Sequence, residues 1–165
     1  MKLNKKIQAA MNEQMRREFG AYYLYLAMAA WFGQHNFDGF SRWMRAQAQE
    51  EANHAMKFFD YIIDRSGVVA LEALDQPKAD WKRVLAVFDA AKAHEAQVSE
   101  GINRLYALAL AEKDYASQAM LQWFITEQVE EEKTSTHIVE TLRIIGDSAS
   151  GLLFYDRELG TRNQA

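Results

Sequence analysis

The sequence predicts an all-α protein: four long helices in a bundle, a long crossover between the second and third, and a short fifth helix. Three observations carry that prediction. The 165 residues include one proline, Pro77, and eight glycines, so little punctuates the chain. Much of the rest is Ala, Leu, Met, Gln, Glu, Lys and Arg, residues of high helix propensity. Apolar residues recur at alternating spacings of four and three, the period of one buried helix face. A chain of this length is expected to form one domain, residues 1–165, with a sizeable core.

The first segment runs from about Lys5 to His35 and stops at Asn36-Phe37-Asp38, where Asp38 is a candidate cap for the next helix. Its seam reads Ile7, Met11, Gln14, Glu18, Ala21, Tyr25, Met28 and Phe32. The second runs to about Ser66, with Gly67 as its stop signal, along Phe40, Met44, Gln47, Glu51, His54, Phe58 and Tyr61. Residues 67–80 contain Pro77 and end at Asp80, a candidate cap for a third helix through Glu112. That helix has the seam Val84, Phe88, Ala91, Glu95, Val98, Ile102, Leu105 and Ala109. A turn at Lys113-Asp114 opens the fourth, which reaches Ile145 along Ser117, Leu121, Phe124, Gln128, Glu131, Ser135, Ile138 and Leu142. After Gly146-Asp147-Ser148, the stretch Gly151 to Leu159 suits a short fifth helix. The bundle thus covers about residues 5–145 and the fifth helix about 149–160.

Connection length sets the topology. The two short turns make helices 1 and 2, and helices 3 and 4, antiparallel neighbours. Helices of about 30 residues are roughly 45 Å long, and residues 67–80 reach roughly 46 Å when extended. The crossover can therefore return along the bundle and make helices 2 and 3 parallel. Its Val68, Val69, Leu71 and Leu74 are expected to pack on an apolar surface. Counted from one end of the bundle, Glu18, Glu51, His54, Glu95, Gln128 and Glu131 fall within roughly five residues of one height, roughly 8 Å along the axis.

Composition excludes several chemistries. The chain has no cysteine, which removes thiolate catalysis, disulfides, iron–sulfur clusters and cysteine zinc sites. A net charge of −4 disfavours nucleic-acid binding, which needs a basic face. No segment reads as membrane-spanning. The lysines near the start precede Gln8, Asn12, Glu13 and Arg16 instead of an uncharged stretch, so a cytoplasmic location is expected.

What remains is the buried glutamates. An isolated ionised carboxylate in a core costs several kcal/mol, and no seam Lys or Arg stands at that height to pair with these four. Any single one can reach the surface or bond to a Gln or Tyr neighbour. Four at one level beside a histidine point to metal, because Glu18, Glu51, Glu95 and Glu131 together carry the charge that two divalent cations neutralise. Glu51 and His54, spaced i, i+3, face the bundle interior together. Oxygen-rich ligation with one imidazole suits Fe(II) or Mn(II) better than Zn(II) or Cu(I).

Single glutamates on two helices with Glu-x-x-His on the other two is the layout of ferritin-like di-iron bundles. Glu18 and Glu95 match the first pair and Glu51-x-x-His54 one motif, while the fourth helix offers Gln128-x-x-Glu131 and no second histidine. With Asn12-Glu13-Gln14-Met15, Ala48-Gln49-Glu50-Glu51, Leu121-Gln122-Trp123-Phe124 and Glu127-Gln128-Val129-Glu130-Glu131-Glu132, the chain resembles the bacterial non-haem ferritins over nearly its whole length. The stretch Gly151-Leu152 through Glu158-Leu159 resembles their fifth helix. The resemblance implies a ferritin-like bundle in a homo-oligomeric shell of 24 subunits that oxidises Fe(II) with O2 or H2O2 and stores ferric mineral. It implies Glu18, Glu51 and His54 as ligands of a first iron, with Glu51 bridging. Glu95 and Glu131 would hold a second iron, with Gln128 adjacent. A third iron site would use Glu50, Glu127 and Glu130, with Glu131 shared. Tyr25 resembles the tyrosine beside that centre, a hydrogen-bonded core tyrosine being the alternative. No haem is expected, because Ala52 and Asn53 place no methionine next to Glu51 and Met56 falls a turn away.

Three rival readings stand beside this one. A ferritin-fold di-iron peroxidase or oxygenase would use the same irons without storing any. A smaller-shell DNA-protecting relative would place its site between subunits. A metal-free structural bundle would have to bury Glu18 and Glu95 unpaired. The assembly surface is sought among Trp31, Phe37, Trp43, Trp81 and the crossover, with core packing the equal alternative for each.

Overall fold

A computed structural model describes residues 2–161. Helix α1 spans Lys5–Gln34, α2 Asp38–Asp64, α3 Val84–Ala111, α4 Tyr115–Ile145 and α5 Ala149–Leu159. No strand occurs among the described residues. Along most of their length α1 packs on α2 and α3 on α4, α1 also meets α3, and α5 docks on α2.

Three of the helices stop in the same way. Asn36, Ser66 and Lys113 take positive φ values of 62°, 53° and 54°. The residue after each then donates back to its helix, Phe37 to Phe32 at 3.0 Å, Gly67 to Ile62 at 2.8 Å and Asp114 to Ala109 at 2.9 Å. This double-bonded stop satisfies carbonyls that the helix end leaves open. The left-handed residue that ends α2 is therefore Ser66 and not Gly67. Gly67 serves a different need, since a Cβ there would lie 2.9 Å from both the Ile62 side chain and its carbonyl oxygen.

Neither aspartate expected to open a helix does so. Helix α3 begins after Arg83, beyond Asp80, with no side-chain cap. Trp81 is buried against Trp31, with ring centroids 6.4 Å apart, so the chain is pinned by packing before it turns into α3. Helix α2 begins after Phe37, also without a local cap, and Asp38 lies in its first turn. Its orphan donors are paired from far along the chain. The buried carboxylate of Asp156 on α5 accepts from the backbone N–H of Phe40 at 2.7 Å and of Gly39 at 3.1 Å. Gly39 is indispensable here, because a Cβ would lie 1.7 Å from the Asp156 carbonyl oxygen.

The crossover is strapped to α1 by polar contacts and not by the apolar packing its sequence suggests. Gln8 Oε1 accepts from Val68 N at 2.9 Å. One turn on, Asn12 donates to Val68 O at 2.9 Å and accepts from Ala70 N at 2.7 Å. A further turn on, Arg16 reaches Glu72 at 3.7 Å. An extended strap carries unpaired N–H and C=O groups, and the amides of α1 answer them. Only Val69 packs toward the core, while Val68, Leu71 and Leu74 are exposed.

The core falls into two apolar clusters. One gathers Met28, Phe32, Phe40, Trp43, Met44, Trp81 and Phe88 toward the α1–α2 turn. The other gathers Ile7, Met11, Met15, Phe58, Ile62, Ile102, Leu105 and Phe124 toward the opposite end. Trp31, Trp43 and Trp81 are buried core residues, and Phe37 packs partly buried on Phe32 and Phe40 of the same cluster. Between the clusters lies a polar layer. Replacing Asp156 with Ala should strip two buried donors at the start of α2 of their partner and destabilise the fold by about 1–2 kcal/mol. Thermal denaturation of Asp156→Ala against the wild type measures it, and an unchanged midpoint would refute the capping role.

Candidate metal centre

The polar layer is assembled from the seams of all four long helices. Glu18 of α1 and Glu51 of α2 are 0% and 1% exposed, and His54 lies one turn after Glu51. One ligand atom from each of Glu18, Glu51 and His54 lies within 4.8 Å of the other two. Among the described residues no other group of three His, Asp or Glu side chains is so compact. His54 Nδ1 is 3.1 Å from Glu51 Oε2, and the imidazole meets the rings of Trp123 and Phe124 edge-on.

Glu18 Oε2 and Glu51 Oε1 are buried with no donor from any other residue, and the hydrogen bond the two carboxyls can share with each other requires a proton held between them. Acceptors left without a donor in a core are costly. A divalent cation is the group that fits them, since two carboxylates and an imidazole match an oxygen-preferring metal with one nitrogen ligand. Without a cation, burial favours the protonated carboxyls. Burial, and then the neighbouring Glu51 charge, raises the Glu18 carboxyl well above its ordinary value. Burial, and then Glu95, does the same to Glu51.

The other two helices complete the layer. Glu95 of α3 accepts from the Tyr25 hydroxyl, which joins α3 to α1. Gln128 of α4 donates to the Glu95 carboxylate at 3.3 Å and to Ser99 Oγ at 3.3 Å, which joins α4 to α3. Gln47 of α2 donates to Glu131 Oε2 at 3.1 Å, which joins α2 to α4. Burial, then Glu95, Glu51 and Glu131, hold the Tyr25 phenol well above its usual range, so it stays protonated and donates.

The structure thus brings Glu18, Glu51, His54, Glu95, Gln128, Glu131 and Tyr25 into one buried layer. Glu95 and Glu131 stand outside the compact triad, each held by an amide or a hydroxyl. Glu50, Glu127 and Glu130 are not drawn into such a group. Glu50 and Glu127 are half-buried, whereas Glu130 is exposed and lies 3.4 Å from Lys133.

Sequence reasoning passed over four neighbours of these ligands. Gln14 donates to Glu18 Oε1 at 2.7 Å, Gln47 holds Glu131, and Ser99 accepts from Gln128. His94 meets Tyr25 edge-on at 6.4 Å, and its Nε2 is buried without a partner. Gln14 and Gln47 each stand four residues before a seam glutamate, a readable signal for an outer partner. Ser99 and His94 lie off the seam and left none.

Fold and site together define a four-helix bundle with a carboxylate-rich candidate metal centre inside one chain. The profile of the ferritin-like domain matches residues 8–145. The chain is 41% identical to the bacterial non-heme ferritin of Bacteroides fragilis over 97% of its own length and 99% of that protein. It is 39% identical to that of Staphylococcus epidermidis over 98% and 97%. An engineered closed form of the Archaeoglobus fulgidus ferritin superposes with a TM-score of 0.97 at 44% identity, covering 99% of both chains. The open-pore ferritin of the same archaeon gives 0.96 over 98% of both. The chain belongs to the ferritin family. No helix of the described residues is long and apolar enough to cross a membrane.

The raised carboxyls of Glu18 and Glu51 have a signed consequence. Each contributes stability that is fully present below the ordinary carboxylate value of 4.5 and lost as pH rises through its higher folded value. This part of the stability of the metal-free protein should therefore decline from about pH 4.5 upward, and Co(II) should remove the decline by taking the place of the protons. Thermal denaturation across pH with chelator and with Co(II) tests this. Calorimetric Co(II) titration in buffers of different ionisation enthalpy should also show proton release at neutral pH, and tight binding without release would contradict a buried carboxylate site.

Proposed function

We propose that this chain is an iron-storage protein with ferroxidase activity. Two Fe(II) ions bind within one subunit, O2 or H2O2 oxidises them to Fe(III), and the ferric product is stored inside a closed shell of 24 copies. The observation that carries this reading is the buried Glu18–Glu51–His54 group with its two carboxylate oxygens that no other residue donates to. Glu95 and Glu131 stand across the same layer and supply the charge for a second cation. The names of the relatives, bacterial non-heme ferritin, agree with it.

Fe(II) is here a substrate. Each ion gives up one electron, so a pair reduces O2 to H2O2 with two protons, or H2O2 to two waters with two protons. Carboxylates favour Fe(III) over Fe(II), and anionic oxygen ligands balance its added charge. Storage also requires the product to leave, which weak carboxylate ligation permits better than a histidine-rich site. Tyr25 keeps Glu95 in place by donating to its carboxylate, and Gln128 fills the position where a second Glu-x-x-His would put a ligand.

His54→Ala and Glu18→Ala should each slow the first rapid phase of Fe(II) oxidation by at least about 10-fold, the loss that removing even an outer partner of a metal ligand produces. Wild-type stopped-flow rates in either variant would sink the di-iron assignment. Iron loading separates storage from an oxygenase or peroxidase: many irons retained per subunit mean storage, two mean an enzyme. Size-exclusion chromatography reports the shell.

The same reading places a third iron at Glu50, Glu127 and Glu130. Glu130 would have to leave Lys133, which is easy because an exposed ion pair is worth only about 0–1 kcal/mol. Crystals soaked aerobically in Fe(II) should show iron within bonding distance of all three carboxylates. Glu130→Ala should keep the two-iron centre and change the oxygen consumed per iron. Two irons only, with unchanged stoichiometry in Glu130→Ala, would remove the third site.

A further inference from the structure

Both carboxylates of the compact triad have one partnered oxygen, but the partner of Glu51 is His54, itself a member of the triad, whereas that of Glu18 comes from outside it. Glu18 Oε1 accepts from Gln14 Nε2 at 2.7 Å, one helical turn earlier on α1, while Oε2 has no donor from outside the triad. Gln14 is itself 3% exposed, so its amide is fixed by what surrounds it and not by solvent. Across the α1–α3 contact stands Gly101, buried in the middle of α3. A Cβ at position 101 would lie 2.5 Å from Gln14 Oε1, a distance at which the amide must move.

Gly101 has no conformational reason to be glycine. It lies within a regular helix, where glycine costs about 1 kcal/mol relative to alanine. After Gln14 Oε1, the atoms nearest the missing Cβ are the Gln14 amide carbon at 3.4 Å and Arg17 Nη1 at 3.5 Å. The notch in α3 is therefore a seat for the Gln14 amide. Seated there, Gln14 turns its oxygen toward α3 and its N–H toward Glu18. The N–H occupies one oxygen of Glu18 and leaves the other for metal.

We infer that Gln14, seated by Gly101 of α3, is a positioning residue that orients Glu18 for metal in the triad with Glu51 and His54. The inference rests on the metal-site reading above and adds to it a specific outer partner and the reason for a helical glycine. An outer partner of this kind orients its ligand, and its loss weakens metal binding by about 10- to 100-fold. Because the atom displaced by a Cβ at 101 is the end of a flexible side chain, Gly101→Ala should shift the amide while the helices stay in place.

The test is anaerobic Co(II) titration of the assembled wild-type and variant proteins, read by calorimetry and by the visible d–d bands that report ligand geometry. Gln14→Met keeps the side-chain volume and removes the donor. Gly101→Ala keeps the donor and removes its seat. Each should weaken Co(II) binding at the triad by about 10-fold or more and alter the d–d bands, with an unfolding midpoint of the metal-free protein close to wild type. In a Gln14→Ala background there is no amide to displace, so Gly101→Ala should add no further loss. Wild-type affinity and bands in Gly101→Ala, or a loss that adds in full to that of Gln14→Ala, would overturn the inference. His54→Ala separates the two layers of the reading. If it weakens Co(II) binding and neither Gln14→Met nor Gly101→Ala does, Gln14 has no role. If it too binds Co(II) as wild type, the metal site itself is wrong.

Discussion

Two carboxylate oxygens that no other residue donates to, Glu18 Oε2 and Glu51 Oε1, are the constraint around which this bundle is arranged. A core built for stability alone would place apolar side chains at those seam positions, as it does above and below. Buried carboxylates can persist only with protons or cations, and burial pushes both toward protons when no cation is present. The Glu18–Glu51 pair therefore trades one kind of positive charge, protons, for another, a cation. That exchange links folding, pH and metal in one set of residues.

The surroundings of the layer follow from it. The two apolar clusters on either side carry the hydrophobic stabilisation that the layer forgoes. Around the glutamates, neutral donors hold the ligands without neutralising them: Gln14 on Glu18, Gln47 on Glu131, and Tyr25 with Gln128 on Glu95. An arginine or lysine in any of these places would form an ion pair and compete with a cation. Amides and a phenol orient a carboxylate and leave its charge in place.

Far from the centre, long-range polar contacts set the frame that makes the layer level. Asp156 pairs the open donors of α2 with α5. Gln8 and Asn12 hold the crossover along α1, and Arg65 with Asp114 ties the end of α2 to the start of α4 at 2.9 Å. A shift of one turn in any helix would move its glutamate about 5.4 Å along the axis and out of ligand range.

Much of this was legible in the sequence because helices report their buried face through a fixed period. The four seams, the two short turns and the length of the crossover placed Glu18, Glu51, His54, Glu95, Gln128 and Glu131 at one height before any coordinates. Local rules failed where a distant partner replaced a local one. Asp38 and Asp80 read as caps, yet α2 is capped by Asp156 and α3 enters through buried Trp81. Gly67 read as the left-handed stop, yet Ser66 takes that conformation and Gly67 supplies room. Val68, Leu71 and Leu74 read as packing residues, yet the strap is held through its backbone. Which seam polar residue meets which glutamate, why Gly101 is glycine, and which carboxylate oxygens stay without a donor were decided by tertiary structure alone. Period and spacing fix position along and around a single helix, whereas a hydrogen bond between helices depends on their separation and rotation, which no one segment encodes.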